Sequence, residues 1–222
     1  FHWVRLHYLY PDEVDESLID VIASERKIVK YIDIPLQHIN DGILKAMNRR
    51  STKAEILALL ARLRARLPGL VLRTSLICGL PGEGEAEFEE LCAFLRTAGI
   101  ERAGIFQFSP EEGTRAAKME YPDAEVARQR ADVVEEIQSR IMDEWNESMM
   151  GKKLQVLCEG YDADEECWYG RTFADSPDID GRILFDSEEE LTPGDFVTVE
   201  VTDACDGELI GVMEDAENDD CE

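Results

Sequence analysis

Two textures alternate through the first 150 residues, short β-branched runs and stretches with helical apolar spacing. That alternation limits the fold more than any other feature of the chain. Residues 4–10 read as a strand end closed by Pro11, 15–25 as a short helix, 29–35 as a strand and 40–47 as a helix. Thr52-Lys-Ala-Glu55 matches a capping box and opens a helix to Leu67, with apolar residues at 56, 59, 60 and 63. A strand at 70–77, a helix at 83–98 with an acidic first turn that suits the helix dipole, a strand at 104–109 and a long amphipathic helix at 124–149 complete the series. Strands separated by helices in this way predict an α/β fold, a parallel barrel or an open sheet.

After Gly151 the texture changes. Strand-like runs at 153–158, 167–173, 182–185, 195–202 and 208–213 are separated by Asp, Gly and Pro turns. Five short strands in a segment of this size predict a small closed all-β barrel of the OB type. The expected organisation is therefore an α/β portion over 1–146, a barrel over 147–214, and an acidic tail over 215–222 that is too polar to pack and is expected to be disordered.

Charge follows the same division. Residues 151–222 hold 23 Asp and Glu against four basic residues, Lys152, Lys153, Arg171 and Arg182, a formal charge of −19. The preceding 150 residues carry only −7. A module with that field repels phosphate backbones and attracts basic surfaces over a Debye length of about 10 Å. No run of 18 apolar residues occurs, so no helical membrane span is expected. The chain starts at Phe1 with neither Met nor a signal pattern, which reads as an internal cut in a longer protein. Six cysteines (78, 92, 158, 167, 205 and 221) are scattered without a C-x-x-C pair, which speaks against a disulfide framework and against zinc.

In parallel α/β folds the functional loops lie at the carboxyl ends of the strands. Three such ends are unusual here. In Tyr31-Ile-Asp-Ile-Pro-Leu-Gln-His38, Gln37 and His38 offer hydrogen-bonding side chains, or else hold and cap the strand exit. In Arg73-Thr-Ser-Leu-Ile-Cys-Gly-Leu-Pro-Gly-Glu83, glycines at 79, 82 and 84 let the backbone approach a ligand, and the following amides suit an anion. The spacing matches neither a Walker loop nor a dinucleotide fingerprint. In Phe106-Gln-Phe-Ser-Pro-Glu-Glu-Gly-Thr114, the aromatics suit a mixed core and ligand lining, and Glu111 and Glu112 either meet a substrate or form a solvated turn. Cys78 has no basic neighbour in sequence to activate it, and His2 and His7 receive no role.

Taken together, these loops and the small acidic barrel resemble the radical S-adenosylmethionine methylthiotransferases with their C-terminal TRAM domain, from about Val4 to Met213. Within that family the chain is similar to the branch that modifies an aspartate of protein twelve of the small ribosomal subunit. That branch is indicated by Pro35-Leu-Gln-His38, Arg73-Thr-Ser75, Ser109-Pro-Glu-Glu-Gly-Thr114 and Tyr169-Gly-Arg-Thr-Phe-Ala-Asp-Ser-Pro-Asp-Ile-Asp-Gly181. One departure is minor, Gly84 where the family prefers an N-cap hydroxyl.

The resemblance implies S-adenosylmethionine and two [4Fe–4S] clusters. A radical takes hydrogen from the β-carbon of the substrate aspartate, and an auxiliary cluster delivers the methylthio group. It further implies Gln37, Arg73, Ile77, Gly79, Phe106 and Ser109 as cofactor contacts, and His38, Glu111, Glu112, Arg171, Asp175, Asp178 and Asp180 as substrate contacts. The family's C-x-x-x-C-x-x-C triplet is absent from this chain, so the expectation is that the cluster ligands precede Phe1 and that the chain alone is inactive. A basic ribosomal protein is the expected partner and the cytoplasm the expected location. Two alternatives remain, a tRNA-modifying relative, which the charge opposes, and a non-catalytic acidic binding module.

Overall fold

The computed structural model describes residues 1–214; the tail over 215–222, expected to be disordered, lies outside the described residues. Two compact units divide between Ile141 and Met142.

In the first unit, strands β1 (Val4–Leu6), β2 (Ile28–Asp33), β3 (Val71–Cys78) and β4 (Arg102–Gln107) form a parallel sheet in that order. Helices α1 (Glu16–Ser24), α2 (Asp41–Ala46), α3 (Lys53–Arg66), α4 (Glu85–Ala98) and the long α5 (Ala124–Glu147) follow the strands or lie between them. The capping box at Thr52 forms as its spacing predicts, with the hydroxyl accepting from the Glu55 amide and the Glu55 carboxylate accepting from the Thr52 amide. β1 is shorter than expected because Tyr8 has φ 58 and leaves the extended region.

Strand side chains alternate between faces. Ile32, Leu72, Leu76 and Cys78 point into one apolar core shared with Ile19 and Ile22 of α1, Ile56 and Leu63 of α3, Leu91 and Leu95 of α4, and Val134 of α5. The helices therefore cover one face of the sheet. The other face belongs to the alternate residues, among them Tyr31, Asp33, Arg73, Ser75, Ile77, Gly104 and Phe106, aligned by the pairs Asp33–Arg73, Ser75–Gly104 and Ile77–Phe106.

In the second unit, β5 (Lys153–Asp162), β6 (Cys167–Arg171), β7 (Ile183–Asp186), β8 (Phe196–Cys205) and β9 (Glu208–Met213) close a barrel in the order β5-β6-β7-β9-β8. Val156, Cys158, Ile183, Phe185, Val199, Val201 and Leu209 fill it. β5 and β8 run ten residues each, longer than their apolar alternation predicts. Register shifts at Cys158/Gly160 and Val201/Asp203 bend them around the closed barrel while breaking the pattern by which sequence marks a strand. No helix among the described residues is long and apolar enough to cross a membrane.

Candidate functional site on the helix-free face of the parallel sheet

The helix-free face carries charge where a strand interior normally carries none, and each charge is held. Asp33 is fully buried, and an ionised carboxylate there needs partners. Arg73 Nη1 donates to its Oδ1 at 3.0 Å, the Tyr8 amide donates to Oδ2 at 3.3 Å, and His7 Nδ1 lies 3.7 Å from Oδ2. Tyr31, on the same face, lies under the Arg5 guanidinium at 4.6 Å and beside the His7 ring at 5.7 Å. At Gly104 an added Cβ would come within 3.2 Å of the Phe106 ring and 3.5 Å of Arg73 Nη2. The bare backbone there lets guanidinium and ring sit together. Phe106 itself is 53% exposed.

Of the six expected cofactor contacts, Arg73, Ile77 and Phe106 are brought together on this face, Gln37 bridges to β3 beyond the end of β2, and Ser109 follows the end of β4. Gln37 is the more distinctive of the two. Its amide donates to Ser75 O, its carbonyl accepts from the Ile77 amide, and its φ is 70, a conformation non-glycine residues seldom adopt. The Thr74 hydroxyl fixes that exit, donating to Ile34 O at 2.9 Å and accepting from the Leu36 amide at 3.1 Å.

Gly79 is placed otherwise. Its amide donates inward to Glu83 Oε1 at 3.0 Å, and an added Cβ would lie 2.4 Å from Ala127 Cβ of α5. It serves helix packing on the opposite side of the sheet. Gly82 has a similar φ, 86 against 83, but open space around it. Gly79→Ala should therefore destabilise the first unit by at least about 2 kcal/mol more than Gly82→Ala, since both suffer the left-handed strain and only one overpacks. Equal urea midpoints for the two variants would show that α5 does not rest on Gly79.

The expected substrate contacts scatter. His38 is fully buried; its Nδ1 accepts from the Asn40 amide at 3.0 Å, and its Nε2 lies 3.5 Å from Glu83 Oε2. Of the two readings of the strand exit, it follows the capping one. Glu83 is buried as well and receives Arg130 Nη1 at 2.9 Å, so a buried His38–Glu83–Arg130 chain ties the β2 exit, the β3–α4 turn and α5 together. Burial alone would raise the Glu83 pKa, but His38, the Gly79 amide and Arg130 outweigh it, and the net shift is downward. Glu111 and Glu112 are exposed beyond β4, as a solvated turn would be.

In the barrel, Arg171 is paired with Glu159 at 2.7 Å. Asp175 is buried and accepts from the amide and hydroxyl of Thr172, Asp180 accepts from the Ser176 amide, and of the three only Asp178 is exposed, at φ 59. This stretch folds the β6–β7 connection rather than presenting a row of carboxylates. Sequence reasoning missed Asp33, Tyr31 and His7. The available signal was a carboxylate inside an apolar parallel strand, which has to find a partner.

Cys78 is buried, and desolvation, with the Glu83 charge adding to it, pushes its thiol up to about 12, consistent with a packing role. No group of three or more His, Cys, Asp or Glu among the described residues is arranged to hold a metal ion.

Comparison with known proteins adds sequence likeness to this geometry. Residues 2–95 match the radical SAM superfamily and residues 150–213 the TRAM domain. The chain is 42% identical over 212 residues to the ribosomal protein uS12 methylthiotransferase RimO of Clostridium acetobutylicum, covering 95% of this chain and 47% of that protein. Against the protein of that name from Anaeromyxobacter sp. strain Fw109-5 the identity is 48%, over 94% of this chain and 45% of the relative. The Lachnoclostridium phytofermentans relative is 46% identical over 96% and 48%. The chain thus spans about half the length of the curated relatives it matches. Among solved structures, coproporphyrinogen III oxidase (HemN) from Escherichia coli, a radical SAM enzyme, aligns with a TM-score of 0.53 at 13% identity, over 76% of this chain and 46% of that one. That likeness concerns fold alone.

Proposed function

Because the chain belongs with the RimO-type radical SAM methylthiotransferases, as part of their radical SAM (βα) barrel followed by their TRAM barrel, we propose that it is the substrate-facing half of an enzyme that methylthiolates an aspartate of ribosomal protein uS12. The observation that carries the choice of a protein over tRNA is the state of the barrel's cations. Lys153 is paired with Glu214, Arg171 with Glu159, and Arg182 with both Asp162 and Glu208. Lys152 lies against the Met149 sulfur. A surface that grips nucleic acid needs cations to replace condensed counterions, and here the unit's own carboxylates occupy three of its four. The remaining field suits a basic protein.

The helix-free face fits the donor set that S-adenosylmethionine requires. Arg73, oriented by Asp33, offers a partner for a carboxylate; Phe106 offers an exposed ring face; and the bare backbone at Gly104 seats the two side by side. Bound there, S-adenosylmethionine would supply the radical chemistry for hydrogen removal from the substrate carbon. This chain's residues position it and, from the sheet side, exclude water. Cluster ligation is assigned to the portion of the protein outside this chain, and the chain by itself is expected to be inactive.

The test uses the full-length enzyme with its clusters rebuilt, offered uS12 and tRNA separately. The expected product is a methylthio mass gain on the protein and none on tRNA, and Arg73→Ala should reduce turnover at least about tenfold, as loss of an orienting contact does. Binding to uS12 should also weaken steeply as salt shortens the Debye length from about 30 Å to about 8 Å. Modification of tRNA, or salt-independent binding, would overturn the reading.

A further inference from the structure

At the end of the barrel where β5 turns into β6 and where β7 and β9 finish, the surface holds a groove of 490 Å³. Tyr161 and Trp168 are direct cross-strand partners and wall it with rings 5.2 Å apart at 72°. Trp168 also packs on the barrel core, which fixes the pair, while Tyr161 is 52% exposed. Val212, 48% exposed, supplies an apolar floor and sits in register with Asp186. Glu166, Asp186 and Glu188 rim the groove and are all exposed; among the described residues none of the three is in an ion pair, and no basic residue lines the groove.

An aromatic pair is an apolar surface that attracts a cation through its ring faces, and the carboxylates add charge without a competing partner. We propose that this groove seats an arginine or lysine side chain of a basic polypeptide segment, with the aliphatic stem on Val212 and the cation between the rings and the carboxylates. The proposal rests on the reading of a basic protein substrate and narrows its recognition to one place on the barrel. A nucleic acid is disfavoured by the same three carboxylates.

The test measures fluorescence anisotropy of a labelled peptide of alternating arginine and glycine, and of its uncharged citrulline twin, with the 222-residue chain. The arginine peptide should bind, and the citrulline peptide should bind at least about tenfold more weakly. Tyr161→Ala, and separately the pair Asp186→Asn with Glu188→Gln, should each weaken arginine-peptide binding about three- to tenfold. Tyr161→Phe should retain it. The pair Asp203→Asn with Asp206→Asn removes the same charge from β8 and the β8–β9 turn, outside the groove lining, and should change binding less than about twofold. If that second pair weakens binding as much as the groove pair, the groove is refuted and a diffuse acidic field remains. If the citrulline peptide binds equally well, the groove and the charge-based choice of a protein substrate fall together. Circular dichroism confirms that each variant is folded.

Discussion

Replacing Glu83 with alanine should cost the first unit about 3 kcal/mol of folding stability, the expected result of removing the central carboxylate of a buried ion pair. Arg130 and His38 both point at that carboxylate; without it the fully buried His38 loses its partner, while Arg130 keeps the Glu83 carbonyl at 2.8 Å and the exposed Glu85 at 3.5 Å. The loss should be read in urea unfolding of the chain, where a midpoint unchanged from wild type would refute the network. A pH dependence follows from the direction of the shift. The Glu83 carboxyl titrates below its ordinary value of 4.5 in the folded chain. Its stabilisation is therefore complete above the unfolded pKa and is lost as pH falls through the lower folded one. The stability gap between wild type and Glu83→Gln should hold from neutral pH to about 4.5 and close below it. A gap that persists into strong acid would mean that the effect is steric.

Gly170→Ala should damage the barrel about as severely, for a steric reason. A Cβ at Gly170 would stand 2.3 Å from Leu157 O and 2.7 Å from Val156 Cγ1. The first of these is backbone of the neighbouring strand, which can move only by opening the β5–β6 ladder at the Cys158–Gly170 pair. Overpacking against backbone should reach about 3 kcal/mol, the upper part of its range. Gly194→Ala provides the comparison, because Gly194 has φ 109 but nothing within 4 Å, so only backbone strain of about 1–2 kcal/mol applies. Thermal unfolding of the two variants should rank them in that order, and the reverse order would show that the ladder yields easily at Gly170.

The elements legible in the sequence were those whose causes are local. The Thr52–Glu55 box, the acidic start of α4 and the five strand-like runs each declare themselves within a few residues, and each is present. What stayed hidden spans distance. Asp33 and Arg73 are 40 residues apart, and Glu83 and Arg130 are 47 apart. No window of the sequence contains both partners, so Glu83 read as the start of a helix and His38 remained open between two roles. Asp175 and Asp180 show the converse. Their motif was visible, but whether a carboxylate faces solvent or bonds the amide a few residues away depends on how the turn closes. The helix-free face was half legible: Arg73, Ile77 and Phe106 came with the family resemblance, while Asp33, the register partner of Arg73, did not.

The barrel's strand order has a consequence for how the chain is made. β9, the last strand among the described residues, lies between β7 and β8. During synthesis from the amino end, those two strands must wait with unpaired edges until residues 208–213 emerge to bridge them. Closure is thus a late event: β9 folds back on β8 through the short turn at Asp206-Gly207, and only its pairing with β7 has to span distance in the chain. An interruption of translation before Glu208 would release a molecule with two open strand edges, the form of a β protein most prone to pair with its neighbours.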